Sequence, residues 1–531
     1  MVKIKIDSIE LEASENLTIL EAARMAGIDI PSMCFLKDHN NHPSCMVCMV
    51  KDNKSGALIP SCAFKVTEGM EISASSQDVL NARRKALELL LSDHVGDCEA
   101  PCSLACPAGM DIPLMNRLLG EGRFTDALTI VKNDIALPYI MGYICPAPCE
   151  KACRRKQVDE AVSVCILKRF AAKTGTDVRA EALINERKAG TAAAKGKIAV
   201  IGSGPAGLSA AYYLLLYGYS CTLFDMHPEP GGALRYEISD KDLPPEIIDI
   251  EVDIIRSMGA EFCLNERVTE EIFNSKIKKN FNAVVVATGD ITVNYDLVNI
   301  MTVSKSGYQV IEDSLRSSVQ GIFVCGSAVR PNKMAVRSVA QGKAVAEAID
   351  AYLLNKEYRK PVRLFNSRFD KLQPAEFEEV LKESVRAGRL DPVNGYVEGF
   401  IEDEAIIEAK RCLHCDCRKK DNCKLRTYAG EYSADRKKYL IGNRKIITKQ
   451  MQHFRVVFEP EKCIKCGLCI EISAAGGEKY GLAFEGRGFD VSVNVPLGGS
   501  LSEGITITSR ACVSACPTGA LSFISDNFNL H

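Results

Sequence analysis

Cysteine is the residue type that most directly suggests chemistry in this sequence. The chain contains 23 cysteines among 531 residues, and most of them stand in short runs. The N-terminal stretch MVKIKIDSIELEA alternates polar and apolar residues and has neither the apolar region nor the cleavage site of a secretory signal. In such a chain, clustered cysteines are more typical of metal ligation than of disulfides. We therefore expect a cytoplasmic protein with several metal or iron–sulfur sites.

The first group of cysteines has the spacing C-x10-C-x2-C-x13-C. Its members are Cys34, Cys45, Cys48 and Cys62. Four thiolates on loops can hold a 2Fe–2S cluster, two on each iron. A structural zinc site is the alternative, although zinc ligands usually come as two close pairs. The spacing resembles that in the N-terminal 2Fe–2S domain of the large iron–sulfur subunit of respiratory complex I and of iron-only hydrogenases, which implies a β-grasp fold.

The second group of cysteines lies between residues 92 and 185. Its members are Cys98, Cys102, Cys106, Cys145, Cys149, Cys153 and Cys165. The segment His94-Val-Gly-Asp-Cys98 resembles the next element of the complex I subunit, where a histidine and three cysteines hold a 4Fe–4S cluster. The segments DCEAPCSLACPAGMDIP and YICPAPCEKACRR instead resemble the N-terminal domain of the glutamate synthase small subunit and of dihydropyrimidine dehydrogenase. The sequence therefore resembles two families joined near residue 95.

The second resemblance implies two 4Fe–4S clusters, each built from both cysteine runs. One cluster would take Cys98, Cys102 and Cys153, with His94 as fourth ligand. The other would take Cys106, Cys145 and Cys149. The family's fourth ligand here is a Glu or Gln, but Lys168 occupies that position, and a protonated amine cannot ligate iron. Cys165 lies about one helical turn earlier and is the expected substitute. The alternatives are that His94 is an ordinary surface histidine and that Cys165 is a core cysteine.

Two further groups of cysteines lie in the C-terminal part of the chain. Four thiols stand within twelve residues, at Cys412, Cys415, Cys417 and Cys423. This compact knot could hold either a 4Fe–4S cluster or a zinc ion, with His414 as an alternate ligand. The last group matches one half of a bacterial ferredoxin and predicts another 4Fe–4S cluster. Its members are Cys463, Cys466, Cys469 and Cys516, the last followed by Pro517. Cys512 is left over.

A dinucleotide-binding motif follows the strand-like run KIAVIG. Gly202, Gly204 and Gly207 form G-x-G-x-x-G, with Pro205 and Ala206 inside it. The first glycine allows a tight turn, the second lets the backbone approach a pyrophosphate, and the third lets the helix pack closely on the strand. Asp225 ends the next strand-like run and is placed to bind ribose hydroxyls.

Three more segments resemble two-dinucleotide flavoproteins and imply that the nucleotide is FAD. They are a glycine loop containing Gly232, a strand end at Ala287, Thr288 and Gly289, and a C-terminal motif at Gly326 and Ser327. Ser327 stands where the family has an Asp that meets the ribityl chain of FAD. Only about thirty residues separate Gly289 from Gly321, and a domain needs more. We therefore predict that the family's NADPH-binding domain is missing.

The alternation of these patterns predicts a multidomain protein of α/β and α+β class. We expect a β-grasp 2Fe–2S domain at 1–78, a helical domain with two 4Fe–4S clusters at 79–190 and a Rossmann-like FAD domain at 191–355. Linker helices with the four-cysteine knot would occupy 356–430, and a ferredoxin-like domain 431–531. Lys and Arg total 66 against 68 Asp and Glu, which argues against nucleic-acid binding. The uncharged stretch 198–224 is broken by glycines, so we expect no membrane span.

The combined motifs predict an FAD- and multi-iron–sulfur electron-transfer subunit of a cytosolic oxidoreductase complex, with one 2Fe–2S cluster and three or four 4Fe–4S clusters. The make-up resembles flavin subunits of electron-bifurcating NAD(P)–ferredoxin transhydrogenases and of related hydrogenase and formate dehydrogenase complexes. This resemblance implies partners: an FMN- and NADH-binding subunit like that of complex I, ferredoxin, and NAD(P)H through a partner. The alternatives are a stand-alone NAD(P)H-dependent reductase of the glutamate synthase small-subunit type and a non-catalytic docking scaffold.

Overall fold

The computed structural model of the protein describes residues 1–39, 42–189, 194–290, 296–311, 313–359, 364–369 and 371–524. The chain divides into two units that are each assembled from separate stretches of sequence. The first unit comprises Met1–Glu99, Arg363–Lys382 and Cys415–His531, and the second comprises Ala100–Val362 and Glu383–His414. The predicted domains 79–190 and 356–430 therefore each contribute residues to both units.

The N-terminal part of the first unit is a five-stranded mixed sheet with the strand order β2-β1-β5-β3-β4. The strands are β1 (Val2–Ile6), β2 (Ile9–Ala13), β3 (Met49–Asp52), β4 (Leu58–Pro60) and β5 (Glu71–Ser73). The alternating residues of β1 point its apolar side chains into the core. The helix α1 (Ile19–Met25) starts at a capping box between Thr18 and Glu21 and buries its apolar face in the same core.

The helix α2 (Gln77–Asp93) leads away from this sheet and ends at His94. Its buried side chains recur at helical spacing and include Val79, Leu87 and Leu91. The helix α18 (Lys424–Glu431) of the same unit packs against it. The N-terminal sheet and the C-terminal cysteine segments thus share a core through α2 and α18.

The C-terminal part of the first unit contains two small antiparallel sheets. The strands β15 (Val456–Phe458) and β18 (Leu521–Phe523) form one pair, and β16 (Ala483–Glu485) and β17 (Ser492–Asn494) form the other. The remaining helices of this unit are α16 (Phe377–Leu381), α19 (Leu468–Ala475), α20 (Leu501–Gly504) and α21 (Ser509–Ala515). The pairing of β15 with β18 brings the two ends of the last cysteine group together.

The first part of the second unit is helical. Its helices are α3 (Pro101–Ala105), α4 (Ile112–Gly120), α5 (Phe124–Asp134), α6 (Pro138–Ile144), α7 (Pro148–Lys151), α8 (Val164–Thr174) and α9 (Val178–Lys188), joined by the later helix α17 (Glu402–Ala409). The helices α3 and α7 pack against each other, as do α6 and α8. Most cysteines of this region stand at the ends of these short helices.

The rest of the second unit is a seven-stranded sheet with the order β12-β13-β14-β9-β6-β7-β8. Its strands are β6 (Lys197–Ile201), β7 (Ser220–Phe224), β8 (Glu261–Cys263), β9 (Ala283–Val286), β12 (Val310–Ile311), β13 (Arg316–Ser317) and β14 (Ile322–Val324). The strands β6, β7, β8, β9 and β14 are parallel, and β12 and β13 are antiparallel at one edge. The helices are α10 (Pro205–Leu216), α11 (Ala233–Tyr236), α12 (Pro245–Ser257), α13 (Glu270–Ile272), α14 (Lys278–Asn280) and α15 (Ala335–Leu353). Such a sheet places a ligand site at the carboxyl ends of its parallel strands.

The stretch between β9 and β14 is where the sequence predicts the loss of a nucleotide domain. In its described residues, 296–311 and 313–321, helices and strands are limited to β12, β13 and the two-residue hairpin strands β10 (Val303–Ser304) and β11 (Gly307–Tyr308). This part of the stretch therefore forms an edge of the sheet and a small hairpin. Every helix within the described ranges is too short or too polar to cross a membrane.

Candidate functional site

The four cysteines of the N-terminal group converge in a buried pocket of the first unit. Cys34, Cys45, Cys48 and Cys62 are all buried, and the sulfur atoms of Cys34 and Cys45 are 3.3 Å apart. Hydrogen bonds from the thiols of Cys45 and Cys62 lower the pKa of Cys34 to about 2. A hydrogen bond from Cys62 likewise lowers the pKa of Cys48 to about 7. The contact with Cys34 and burial raise the pKa of Cys45, and contacts with Cys34 and Cys48 raise that of Cys62, so the four thiols interact directly with one another.

A second set of thiols surrounds Lys168 in the second unit. Cys106 and Cys145 follow α3 and α6, Cys149 lies in α7, and Cys165 lies in α8. The Cys165 sulfur is 3.9 Å from the Cys145 carbonyl oxygen. Burial works against the charge of Lys168, but the thiolates of Cys165, Cys145, Cys149 and Cys106 raise its pKa. The predicted four-cysteine set is therefore close together and close to the buried Lys168, which sequence reasoning considered only as a non-ligand.

The other predicted set, His94 with Cys98, Cys102 and Cys153, is divided between the two units. His94 and Cys98 belong to the first unit, and Cys102 and Cys153 belong to the second. His94 is half-buried, and its Nδ1 atom is buried. Burial and the nearby positive charge of Lys462 lower the pKa of His94 to about 4. The neutral imidazole has a lone pair that can bind a metal.

The four-cysteine knot is divided in the same way. Cys412 belongs to the second unit, whereas Cys415, Cys417 and Cys423 belong to the first. Cys417 donates its backbone N–H to the Cys98 carbonyl, with a distance of 3.1 Å. Burial raises the pKa of Cys98 to about 11 and that of Cys423 to about 12, and the charge of Cys417 contributes to both shifts. Cys98, Cys417 and Cys423 are thus neighbours.

The ferredoxin-like group forms a small enclosed site. Cys463, Cys466, Cys469 and Cys516 together line a cavity of about 20 Å³ in the first unit. Burial raises the pKa of Cys463 to about 12, and burial also raises the pKa of Cys466. Lys465 donates its backbone N–H to the Cys463 sulfur at 3.3 Å. Cys512 lies outside this cavity lining and in the hydrophobic core, consistent with a cysteine that is not a ligand.

Thiols are the donors that iron–sulfur clusters use, and they also bind single metal ions. Within the part of the chain that the structure describes, no three His, Cys, Asp or Glu side chains converge closely enough to hold one metal ion. A 4Fe–4S cluster is larger than one ion, and its ligands stand around the outside of an inorganic core. The donor type of the grouped thiols fits iron–sulfur clusters.

A cavity of about 300 Å³ opens at the carboxyl ends of the parallel strands in the second unit. All but one of the residues predicted to bind a flavin line it: Gly202, Gly204, Pro205, Ala206, Asp225, Gly232, Ala287, Thr288, Gly289, Gly326 and Ser327. The exception, Gly207, faces the turn below, where a Cβ would overlap the Gly202 carbonyl oxygen. The close packing at Gly207 agrees with the role that the spacing predicts for the third glycine.

Polar groups at this cavity leave room for a ligand. The Thr288 hydroxyl is buried and has no hydrogen-bond partner among the described residues. Asp225 accepts hydrogen bonds from the Ser203 N–H at 2.7 Å and from the Ser203 hydroxyl at 2.6 Å, both at the same carboxylate oxygen. Its other oxygen accepts from the His227 N–H at 3.0 Å. Sequence reasoning did not identify Ser203 and His227, and only their nearness to the motif and to Asp225 could have suggested them.

Three segments of the chain match known domain families. Residues 1–77 match the 2Fe-2S iron-sulfur cluster binding domain, and residues 91–179 match dihydropyrimidine dehydrogenase domain II with its 4Fe-4S cluster. Residues 200–266 match the NAD(P)-binding Rossmann-like domain. The chain carries iron–sulfur and Rossmann-like domains. This confirms the resemblances that the first two cysteine groups and the glycine motif suggested.

The chain is similar to subunits of several oxidoreductases. It is 37% identical to the NADPH-Fe(3+) oxidoreductase subunit beta of Geobacter sulfurreducens over 36% of this chain and 28% of that protein. It is 38% identical to the NADP(+)-dependent formate dehydrogenase subunit beta of Moorella thermoacetica, over 36% of this chain and 29% of that protein. It is 32% identical to the NAD-dependent dihydropyrimidine dehydrogenase subunit PreT of Salmonella typhimurium, over 36% of this chain and 46% of that protein. The chain thus spans less than half the length of these relatives.

Proposed function

We propose that this chain is an electron-transfer subunit of a multi-subunit oxidoreductase, with an FAD in the second unit and iron–sulfur clusters in both. A bound flavin exchanges two electrons with a nucleotide and one at a time with clusters, each of which carries one electron. The observation that carries the proposal is the packing of several thiol sites beside one another. A chain of neighbouring one-electron sites is what transfer through a protein requires.

The thiol sites of the first unit support this relay because they share one core. One hydrophobic cluster contains Cys34, Cys45 and Cys423, and Cys466 packs against it. The charge of Cys34 also acts on Cys466, so the N-terminal and ferredoxin-like groups are neighbours. An electron entering at either group would need only short steps between sites within this unit.

The cavity of the second unit supports FAD as its occupant. The turn at Gly202 and the start of α10 both line the cavity, and the N-terminus of a helix is a common binding position for a pyrophosphate. Asp225 and the buried Thr288 hydroxyl are polar groups near the ribose and ribityl positions that the motif predicts. Ser327 supplies a hydroxyl where the resembling flavoproteins have a carboxylate, so we expect altered affinity or potential at this point.

The short stretch between β9 and β14 favours a subunit over a stand-alone reductase. In the resembling flavoproteins a whole NADPH domain stands there, whereas here the described residues form one hairpin and two edge strands. We infer that NAD(P)H reacts on a partner, and that the complex I-like N-terminal domain is the docking point for an FMN- and NADH-binding partner. Ferredoxin is the proposed one-electron partner, and electron bifurcation is the proposed mode of coupling.

The test is a reduction assay on anaerobically purified full-length protein. Dithionite is expected to bleach both the flavin and the clusters, whereas NADH or NADPH added to the isolated chain is expected to bleach the flavin slowly or not at all. Addition of the co-purifying subunits is expected to restore rapid bleaching. Rapid bleaching of the isolated chain by NAD(P)H would favour the stand-alone reductase. Protein without flavin, iron or sulfide would favour the docking scaffold.

A further inference from the structure

We propose that His94, Cys98, Cys417 and Cys423 form one iron–sulfur site in the first unit. This grouping differs from the one that the family resemblances imply, which assigns His94 and Cys98 to Cys102 and Cys153. It also divides the four-cysteine knot, because it places Cys417 and Cys423 in a different site from Cys412. The inference rests on the proposed function in taking the metal group to be a cluster, but the ligand set is argued from the contacts below.

The backbone brings two distant cysteine segments into direct contact. The Cys417 N–H donates to the Cys98 carbonyl at 3.1 Å, and both side chains are buried. Cys423 is also buried and stands at the start of α18. The charges of Cys98 and Cys417 both act on Cys423. Three buried thiols from the same unit therefore lie near one another.

His94 provides the fourth donor. It follows α2, four positions before Cys98, and its Nδ1 is buried without a hydrogen-bond partner among the described residues. The ring lies close to Lys462. A ligating histidine typically donates its other N–H to a backbone carbonyl or a carboxylate, which fixes the ring with its free nitrogen toward the metal. The buried Nδ1 of His94, which has no hydrogen-bond partner among the described residues, is therefore the nitrogen that we assign to the metal.

The surroundings of the three thiols suit an anionic cluster. Ser367 donates its backbone N–H to the Cys98 sulfur at 3.4 Å. The buried Lys462, paired with Glu459 at 2.7 Å, places a positive charge near Cys98, Cys417 and His94. Hydrogen bonds to sulfur and nearby positive charge both stabilise the reduced form of such clusters.

Gly519 shows how closely the protein backbone approaches Cys417. A Cβ at position 519 would overlap the Cys417 sulfur, so any other residue there would displace the thiolate. Gly519 lies just beyond Cys516 of the ferredoxin-like group, and the Lys424 N–H donates to the Pro517 carbonyl at 2.9 Å. The proposed site is thus next to the ferredoxin-like site and extends the relay of the first unit.

Cys412 then belongs with the cysteines of the second unit. The Arg411 carbonyl accepts a hydrogen bond from Arg155 Nη1 at 3.0 Å. Arg155 lies two residues after Cys153, so the segments that carry Cys153 and Cys412 adjoin within this unit. Cys412 is therefore positioned to take the place that the family resemblance gives to Cys98.

A double-mutant test separates the two groupings. Full-length Cys98→Ala, Cys417→Ala and the double variant would be purified anaerobically, with iron and acid-labile sulfide measured per chain. If the two cysteines share one site, each single variant loses about four irons and the double variant loses no more. Two separate sites would instead cost the double variant about eight irons, which would overturn the proposal. Electron paramagnetic resonance of the reduced protein should show the same signal missing in all three variants.

Two further variants control for misfolding and test whether His94 is a ligand. Cys512→Ala, at a buried cysteine of the same unit, is expected to keep its full iron content. His94→Cys is expected to keep its iron but to change the signal that is lost in Cys98→Ala. A change in a different signal, or zinc in place of iron at this site, would overturn the assignment. Absence of iron and sulfide from the unaltered protein would instead overturn the proposed electron-transfer function.

Discussion

Cys165 lies beside Cys145, with its sulfur 3.9 Å from the Cys145 carbonyl oxygen. The two residues come from different helices, α8 and the end of α6, that pack against each other. The hydrogen bond from Cys145 lowers the pKa of Cys165, but Cys149 and burial together raise it to about 11. These three cysteines therefore stand close enough to act on one another, and we propose Cys165 as the ligand where the resembling families use Glu or Gln.

Replacement of this cysteine is expected to remove one cluster. Cys165→Ala should lower the iron content by about four per chain, because a 4Fe–4S cluster held by three thiolates is readily lost. The measurement is iron and acid-labile sulfide on anaerobically purified protein. Cys325→Ala, at a buried cysteine of the nucleotide-binding part, is the matched control and should keep its iron. Unchanged iron in Cys165→Ala would show that Cys165 is an ordinary core cysteine.

The buried Lys168 is expected to raise the reduction potential of the same cluster. A positive charge among four thiolates favours the more negative, reduced state. Lys168→Met should therefore lower the midpoint potential, by about 59 mV for each tenfold change in the relative stability of the two redox states. A redox titration followed by electron paramagnetic resonance measures this shift. Lys173→Met, at an exposed lysine of α8, should leave the potential unchanged, and an equal shift in both variants would contradict this role.

The sequence predicted those sites whose residues are close along the chain. The Cys463 to Cys469 run and the turn from Gly202 to Gly207 are local motifs, so their geometry follows from spacing. The neighbourhood of Cys98 and Cys417 could not be predicted, because it depends on how remote segments pack together. Lys168 was recognised as a poor ligand, but its place among four thiols depends on the packing of α8. The hydrogen bonds of Asp225 to Ser203 and His227 likewise depend on the path of the loop after β7.

The glycine motif is expected to be essential for the flavin but not for the clusters. In Gly207→Ala the new Cβ would overlap the Gly202 carbonyl oxygen, which would displace the phosphate-binding turn. The variant should lose most of its flavin and keep its iron. The measurement is the amount of flavin and the amount of iron, each per chain. Gly388→Ala is the control, because a Cβ there meets no atom within 4 Å. Full flavin content in Gly207→Ala would refute the assigned role of the motif.

Glu251 is expected to make the stability of the second unit depend on pH. Burial raises the pKa of this carboxyl from 4.5 to about 7, although Lys132 lies 3.8 Å away. The Glu251 carboxyl therefore binds its proton more tightly in the folded state than in the unfolded state. The stability that protonated Glu251 contributes is present below about pH 4.5 and is lost as the pH rises through about 7.

Replacement of Glu251 should remove this pH dependence. The melting temperature of Glu251→Gln, relative to the unaltered protein, is expected to rise between pH 5 and pH 8, by a few degrees or less in so large a chain. Thermal unfolding at several pH values provides the measurement. Glu246→Gln, at an exposed position of α12, should show a constant difference. A relative melting temperature that falls with pH would contradict the raised pKa.

The most direct test of the electron-transfer account is the cofactor content of the full-length protein purified without oxygen. One 2Fe–2S cluster and four 4Fe–4S clusters predict about eighteen irons and a similar amount of acid-labile sulfide per chain. The same sample is expected to contain one FAD and to be bleached by dithionite. Colourless protein that lacks both sulfide and flavin would contradict the account.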